Sequence, residues 1–377
     1  MIFDDFLSQG FWNLAPDNIL PHFMYKIILD CDLMRYPDSG LYHYCLNLGN
    51  FVNRELQKEN KGCISFYIPP GEKESFENNA SCITERKWHQ KYFKPFFWDC
   101  NIWHAPFQSG RIIVPPRKKN IKVLLTIHDL NCLHEDKSQT ERSLSLQKTQ
   151  KLINRCDAMV CISEHCKNDV VSNLEINHKP VYVIHNGTHN VVSPPRVPAG
   201  YDPKRPFIFT MGYVNRKKNF HTLIPLLKNP ELELVIAGKL DDPEYVHYIR
   251  AMAMQYGVAE RLHILGPVSE EDKAWYLNHC LAFMLPSLAE GFGAPVVEAM
   301  KFGKPIFLSA LTSLPEIGGD IAFYFNHFDP GHMCEVFNEG MYHYQKNGLA
   351  EKIIKRGNNF NWEKSAKQYT DVYQSLL

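Results

Sequence analysis

The chain has 377 residues, 45% hydrophobic and 22% charged, with 41 basic and 41 acidic side chains. That length exceeds one ordinary core and predicts two domains of a globular protein. The balanced charge supplies no overall field for nucleic acid, leaving only a local basic patch at Arg117-Lys118-Lys119.

Eleven cysteines are scattered without a Cys-x-x-Cys pair, and Cys63, Cys161 and Cys280 fall in or beside apolar runs. This argues for a reducing compartment and against a disulfide or zinc framework. The start, Met1-Ile2-Phe3-Asp4-Asp5, has no basic region followed by an apolar one, so no signal peptide is expected. No apolar run approaches the ~20 residues that span a bilayer. The expected location is cytoplasmic, or peripheral on the inner face of the cytoplasmic membrane.

After a lead of residues 1–21, short apolar runs at 25–30, 63–68, 101–104, 123–128, 158–163 and 181–185 alternate with longer helical patterns. They are dense in Ile, Val and Leu and too continuous for one-sided strands, which predicts a buried parallel sheet built of β-α-β units. A first domain is therefore expected over 22–190. The proline-rich stretch from Val191 to Gly200, with Pro203 beyond it, predicts a linker over 191–205. A second series at 207–211, 232–237, 262–265, 282–285, 305–309 and 322–325 predicts a similar domain over 206–362. Two doubly wound α/β domains on a hinge imply a cleft, with ligands beyond the carboxyl ends of the strands.

Several residue groups follow strands in this way. Asp30-Cys31-Asp32 closes the first strand with a spacing able to hold a divalent ion. A cationic loop elsewhere already serves phosphate, so no metal is expected there. Pro37-Asp38-Ser39-Gly40 is a glycine loop ahead of a helix, where a ligand can approach the backbone. An aromatic stretch follows at Tyr92, Phe93, Phe96, Phe97, Trp98 and Trp103, suited to stacking on sugars or to filling core. With Arg117-Lys118-Lys119 it offers a peripheral contact to an anionic membrane carrying a lipid-linked acceptor.

In Thr126-Ile127-His128-Asp129-Leu130, a cleft-facing His128 would bond a sugar hydroxyl or move a proton near neutral pH; a structural histidine bonded to backbone is the alternative. His104, also after a strand, reads as structural. Asn186-Gly187 reads as a tight turn shaping the approach to the hinge.

In the second domain, Gly212 is followed by Arg216-Lys217-Lys218-Asn219, three cations placed to clamp a diphosphate. The most informative segment runs from Leu285 to Met300, with Glu290-Gly291-Phe292-Gly293-Ala294-Pro295 leading to Glu298. Pro295 suits the first helical position and Gly303 a left-handed cap. Glu290 is then expected in the loop and Glu298 about one turn into the helix. Amides at Gly291 and Gly293 lie at the positive end of the helix dipole, and two carboxylates can accept hydroxyl hydrogen bonds.

Taken together these residues resemble the retaining GT-B glycosyltransferases of family GT4, which includes bacterial mannosyl- and glucosyltransferases. The marks occur in family order: Ser39-Gly40, His128-Asp129-Leu130, Ile162-Ser163-Glu164, Asn186-Gly187, Arg216 to Asn219, Ala237-Gly238-Lys239, and the Glu290…Glu298 element. Phe360-Asn361-Trp362-Glu363 and the final helix resemble the family's C-terminal segment, which implies that residues 363–377 cross back to the first domain.

The resemblance implies a GT-B fold and transfer of a hexose from a nucleotide-diphosphate sugar to a glycan or lipid-linked acceptor, without a metal or other cofactor. GDP-mannose is the first expectation and a UDP-sugar the second. Glu290 would contact donor-sugar hydroxyls, with the Gly291, Phe292, Gly293 and Ala294 backbone nearby. Glu298 would hold the ribose. Lys218, with Arg216 or Lys217, would bind the diphosphate beside Gly212, Asn219, Gly238 and Lys239. His128 would lie over the donor sugar, and Gly40 would admit the phosphates. Relatives place arginine a few residues after the loop glycine and follow it with Lys-Asn, so the partner of Lys218 is left open between Arg216 and Lys217.

Alternatives on the same architecture are a nucleotide-sugar epimerase and a glycan phosphorylase. The full wording of the two-glutamate element disfavours the first, and no lysine stands in an obvious cofactor-anchoring setting for the second. A non-catalytic sugar-nucleotide-binding protein is the alternative outside enzymes.

Overall fold

The structure is a computed structural model that describes residues 25–37, 39–77, 80–85, 100–108, 121–188, 197–198 and 200–377. The lead 1–21, the aromatics at 92–98, Arg117-Lys118-Lys119 and most of the stretch 191–199 lie outside the described residues.

The apolar runs fold into two sheets. The first holds β1 (Tyr25–Asp30), β2 (Gly62–Ile68), β3 (Ser81–Thr84), β4 (Ile102–Ala105), β5 (Lys122–Ile127), β6 (Ala158–Cys161) and β7 (Val181–Val183), in the order β3-β2-β1-β4-β5-β6-β7. The second holds β8 (Phe207–Met211), β9 (Glu233–Ala237), β10 (Leu262–Gly266), β11 (Ala282–Leu285), β12 (Ile306–Ser309) and β13 (Phe323–Phe325), in the order β10-β9-β8-β11-β12-β13. Every pairing in both sheets is parallel. β3 is unforeseen: it is short, carries Ser81 and Thr84, and is half exposed, so it lacks the apolar signature of a buried strand.

Ten α-helices lie among the described residues: α1 (Gly40–Glu59), α2 (Gln139–Ile153), α3 (Glu164–Asn173), α4 (Pro243–Gln255), α5 (Glu270–His279), α6 (Ala294–Lys301), α7 (Leu314–Gly318), α8 (Pro330–Asn347), α9 (Ala350–Gly357) and α10 (Trp362–Ser375). None is long and apolar enough to cross a membrane. Parallel strands need crossovers, and these helices supply them. Strand order reverses between β1 and β4 and again between β8 and β11, which opens a crevice at the carboxyl end of each sheet.

The last helix completes the first domain. Trp362, Ala366, Tyr369, Val372 and Tyr373 of α10 share one core with β1 and with Tyr44, Leu48 and Val52 of α1. The hydroxyls of Tyr44 and Tyr369 are 2.7 Å apart. His104 sits fully buried between the Tyr373 hydroxyl (2.7 Å) and Thr126 Oγ1 (2.8 Å), and burial pushes its ring down to about 3. It is therefore a neutral structural histidine.

Asn186-Gly187 corrects an expectation. No turn forms there; instead Gly187 is pressed against the start of α10, where an added Cβ would lie 2.3 Å from Trp362 N. The glycine is there for close approach of two backbones.

Candidate active site

The loops after β8 and β11 meet at the second crevice. Gly212, at φ +145°, leaves room for the Lys218 side chain to fold over it; an added Cβ would stand 2.8 Å from Lys218 Cε. Residues Arg216–Lys218 form a single 3-10 turn that Asn219 ends in left-handed conformation at φ +57°. The three cations thereby leave the turn in different directions. Lys218 goes inward, 9% exposed, and its Nζ reaches Glu290 Oε1 at 2.5 Å.

The backbone of Glu290 is held from the loop after β12: its N–H donates to Thr312 Oγ1 (3.0 Å) and its carbonyl accepts from Ser313 Oγ (2.9 Å). Burial alone would raise the Glu290 carboxyl, but the charge and hydrogen bond of Lys218 outweigh it and hold the group below its ordinary value.

Arg216 and Lys217 are placed differently. The Arg216 side chain is 66% exposed, 3.8 Å from Asp242 and over the Tyr245 ring, so the structure does not bring it to Glu290. Lys217 instead crosses to Glu135 of the first domain at 3.4 Å, and its charge bears on both Glu290 and Asp129. Lys239 points over the Tyr213 ring on the surface, while Gly238 makes a close backbone approach to Gly212.

Helix α6 begins at Ala294 behind Gly293, which is left-handed at φ +91°. Pro295 is thus second in the helix, one place later than its chemistry alone suggests. Glu298 lies one turn in and pairs with Lys273 of α5 at 3.2 Å; Lys273 also binds Glu270 at 2.6 Å. Glu298 Oε2 is buried with no hydrogen-bond partner among the described residues. Here burial outweighs Lys273, so the Glu298 carboxyl is raised, and His43 of α1 bears on it electrostatically from the first domain. Two glutamates eight positions apart are pushed in opposite directions. Phe292 is placed as core, its ring 5.7 Å from Phe360 and 6.1 Å from His185.

On the first-domain side, His128 follows β5 and is 7% exposed, packed between the rings of Tyr44 and Phe107. Its Nε2 is 2.8 Å from the Pro106 carbonyl, which only accepts, so Nε2 carries the proton and Nδ1 is left as an acceptor. Burial pushes the ring down to about 4. The geometry is that of the backbone-bonded alternative: the Nε2 proton is committed to the Pro106 carbonyl, and burial weakens the hold of Nδ1 on a second proton. Gly40 opens α1 behind the Ser39 cap, with no atom within 4 Å of where a Cβ would be. Asp32 is engaged by Arg35, which also holds Glu85 at 2.5 Å.

The two domains touch at the mouth of this cleft. An added Cβ on Gly291 would lie 2.4 Å from the His128 carbonyl oxygen. Ser163 Oγ donates to the Gly291 carbonyl at 2.9 Å. Glu316 of α7 caps α3, accepting from the N–H groups of Glu164 (2.8 Å) and His165 (3.0 Å), and binds His185 Nε2 at 2.6 Å. Lys273, Glu135 and Glu316 escaped notice in the sequence. Lys273 sits in the charged run Glu270-Glu271-Asp272-Lys273, which reads as a solvated helix start, and only the tertiary fold brings it to Glu298.

Comparison with known proteins agrees with this architecture. Residues 196–340 match the family Glycosyl transferases group 1, and residues 61–190 match Glycosyltransferase Family 4. The serotype-specific mannosyltransferase WbdA of Escherichia coli is 29% identical over 181 residues, covering 45% of this chain and 22% of WbdA. The chain thus matches only about a fifth of that relative's length. Sucrose-phosphate synthase from Thermosynechococcus elongatus superposes with a TM-score of 0.71 at 18% identity, covering 93% of this chain and 99% of the other. Anabaena HepE in complex with UDP and glucose superposes at 0.69 and 15% identity, covering 93% and 100%. With both halves matched in chain order, and folded as two facing parallel sheets of this topology, the chain belongs to the GT4-type glycosyltransferases of GT-B fold.

Proposed function

We propose that the protein is a retaining glycosyltransferase that moves a hexose from a nucleotide-diphosphate sugar to a hydroxyl of a glycan or lipid-linked acceptor. The observation that carries this reading is the buried Lys218–Glu290 pair at the switch point of the second sheet, with Lys217 and Glu298 beside it. A carboxylate and a cation already in contact are poised to part onto a donor, Glu290 taking sugar hydroxyls and Lys218 the diphosphate. Lys217, rather than Arg216, is the second cation of the clamp. Glu298, through its unpartnered Oε2, accepts from the ribose hydroxyls. His128 Nδ1 accepts from a sugar hydroxyl, and the open start of α1 at Gly40 receives the phosphates.

In the transfer, the acceptor oxygen bonds to the anomeric carbon on the face from which the diphosphate departs, and the acceptor proton passes to the leaving phosphate. The clamp lysines carry the charge that develops, so the transfer itself runs without a metal. Mannose from GDP-mannose is the first choice of donor, supported by the name of WbdA; a UDP-sugar is the second, supported by the ligand of HepE. The same relatives support a place in surface polysaccharide or glycoconjugate synthesis, in the cytoplasm or on the inner membrane face.

A thermal-shift series over nucleotide sugars tests this reading. A donor present at 100 times its Kd stabilises the fold by about 2.7 kcal/mol, so GDP-mannose should raise the melting temperature. If no nucleotide sugar does so, the chain is not a donor-dependent transferase. Glu298→Ala should raise the donor KM roughly 10- to 100-fold, the worth of a hydrogen bond to a charged group, and largely spare kcat. An unchanged KM would reject the ribose role.

A further inference from the structure

One cluster of side chains outside the donor cleft has the composition of a metal site. His134 follows the short turn Asn131–Leu133 beyond β5, and His165 and Asp169 both belong to α3. Positions four apart on a helix share a face, so the imidazole and the carboxylate of α3 project together towards His134. His134 Nε2 lies 2.7 Å from Asp169 Oδ2, and His165 Nε2 lies 3.3 Å from the same oxygen. One donor atom from each of the three residues falls within 4.8 Å of the others.

A second observation points to a ligand. His165 Nε2 is buried, and its contact with Asp169 Oδ2 at 3.3 Å falls short of a well-formed hydrogen bond. A poorly satisfied buried nitrogen is costly, and a cation among the three donors would satisfy it. Around a tetrahedral zinc, with bonds of about 2.0–2.2 Å, neighbouring donors sit roughly 3.3 Å apart. One measured pair already has that spacing and the other needs a small side-chain rotation. The side chains are 29%, 26% and 14% exposed, which lets an ion enter and leaves room for water as a fourth ligand.

We infer that His134, His165 and Asp169 bind one divalent ion of the zinc class. The donor set decides the class, since magnesium and calcium take oxygen ligands while two imidazoles with a carboxylate suit zinc. The absence of a Cys-x-x-Cys pair excludes only a thiolate framework. None of the three residues belongs to the proposed donor site, so the ion is structural and the inference stands apart from the transfer reading.

The site ties the turn after β5 to α3. That turn runs directly into Glu135, which holds Lys217, and the start of α3 carries the contacts to Gly291 and Glu316. A bound ion would fix the first-domain half of the contact between domains.

The test is titration of the chelator-stripped, tag-free full chain with Co2+ and then Zn2+. One equivalent of Co2+ should give visible absorption without the near-ultraviolet band of thiolate ligation, and Zn2+ should displace it and raise the melting temperature. His165→Gln and Asp169→Asn should each remove that equivalent and the thermal shift, with circular dichroism unchanged. The inference is overturned if no equivalent saturates below about 100 µM, far weaker than a folded zinc site, or if both variants retain it. The stabilisation by GDP-mannose should persist in the stripped chain; its loss in both forms would defeat the transfer reading and leave the metal site standing.

Discussion

Lys218→Ala should lower turnover about 100- to 1000-fold, the loss of roughly 3–4 kcal/mol that follows removal of a preorganised contact to developing charge. On the proposed reading the lysine has two partners in sequence, Glu290 in the unliganded protein and the diphosphate in the reaction. Its removal strips charge from the leaving group and also leaves a buried carboxylate without its counter-ion. Glu290 Oε1 is 2.5 Å from Lys218 Nζ, and the two side chains are 12% and 11% exposed. Breaking a buried pair from one side costs about 3–5 kcal/mol, whereas removing both charges costs far less.

The single variant should therefore melt lower than the parent. The double variant Lys218→Ala/Glu290→Gln should recover most of that stability and none of the turnover. Lys218 holds Glu290 below its ordinary value of 4.5 in the folded chain, so the pair's stabilisation is present above that value and is lost as pH falls through the folded one. In Lys218→Ala that acid-side loss should disappear, since burial then raises the carboxyl. Rates from single-turnover transfer and thermal melts across pH check these points. Near-normal turnover in both Lys218→Ala and Glu290→Ala sinks the assignment.

The central strands of both sheets were legible because they are buried on both faces and read as unbroken apolar runs; the edge strands β7, β10 and β13 are only partly buried but still largely apolar, whereas β3, at an edge and half polar, carried no such signal. The Glu290…Glu298 element was legible because local chemistry punctuates it: glycine for a left-handed turn, proline inside the helix start, glycine after the end. What local chemistry does not encode is direction.

Arg216, Lys217 and Lys218 are alike as a string, and only a single 3-10 turn closed by Asn219 sends one to solvent, one across the cleft and one inward. The position of His128 was legible but its charge state was not. Its desolvation comes from Tyr44 and Phe107, which the fold supplies from other elements. Lys273 and Glu316 act through contacts made between distant segments, and a charge in a polar run looks solvated until its partner is known.

Gly291→Ala should reduce kcat/KM about 100-fold, the cost of misplacing reacting groups by about 1 Å, while leaving the melting temperature nearly unchanged. The obstacle is not in the loop's own backbone. The alanine Cβ would meet the His128 carbonyl oxygen at 2.4 Å and Asp129 Cβ at 3.1 Å, both across the cleft. A backbone carbonyl at the end of a sheet strand does not yield, so the two domains must part by roughly 1 Å to restore ordinary contact.

Parting stretches the Ser163–Gly291 hydrogen bond, the Lys217–Glu135 pair and the Glu316 cap, and on the proposed reading it carries His128 away from the donor sugar. Each domain keeps nearly all of its own core, Ile162 being the first-domain side chain that packs into the second, so global stability should fall only a little. Gly238→Ala makes the contrasting case. There the Cβ would stand 2.0 Å from the Gly212 carbonyl oxygen inside one domain, at φ +134°, and no hinge relieves it. That variant should lose stability together with activity. Paired measurements of donor kinetics and thermal melting separate the two outcomes. Wild-type turnover in Gly291→Ala would mean that the productive state is more open than this contact allows.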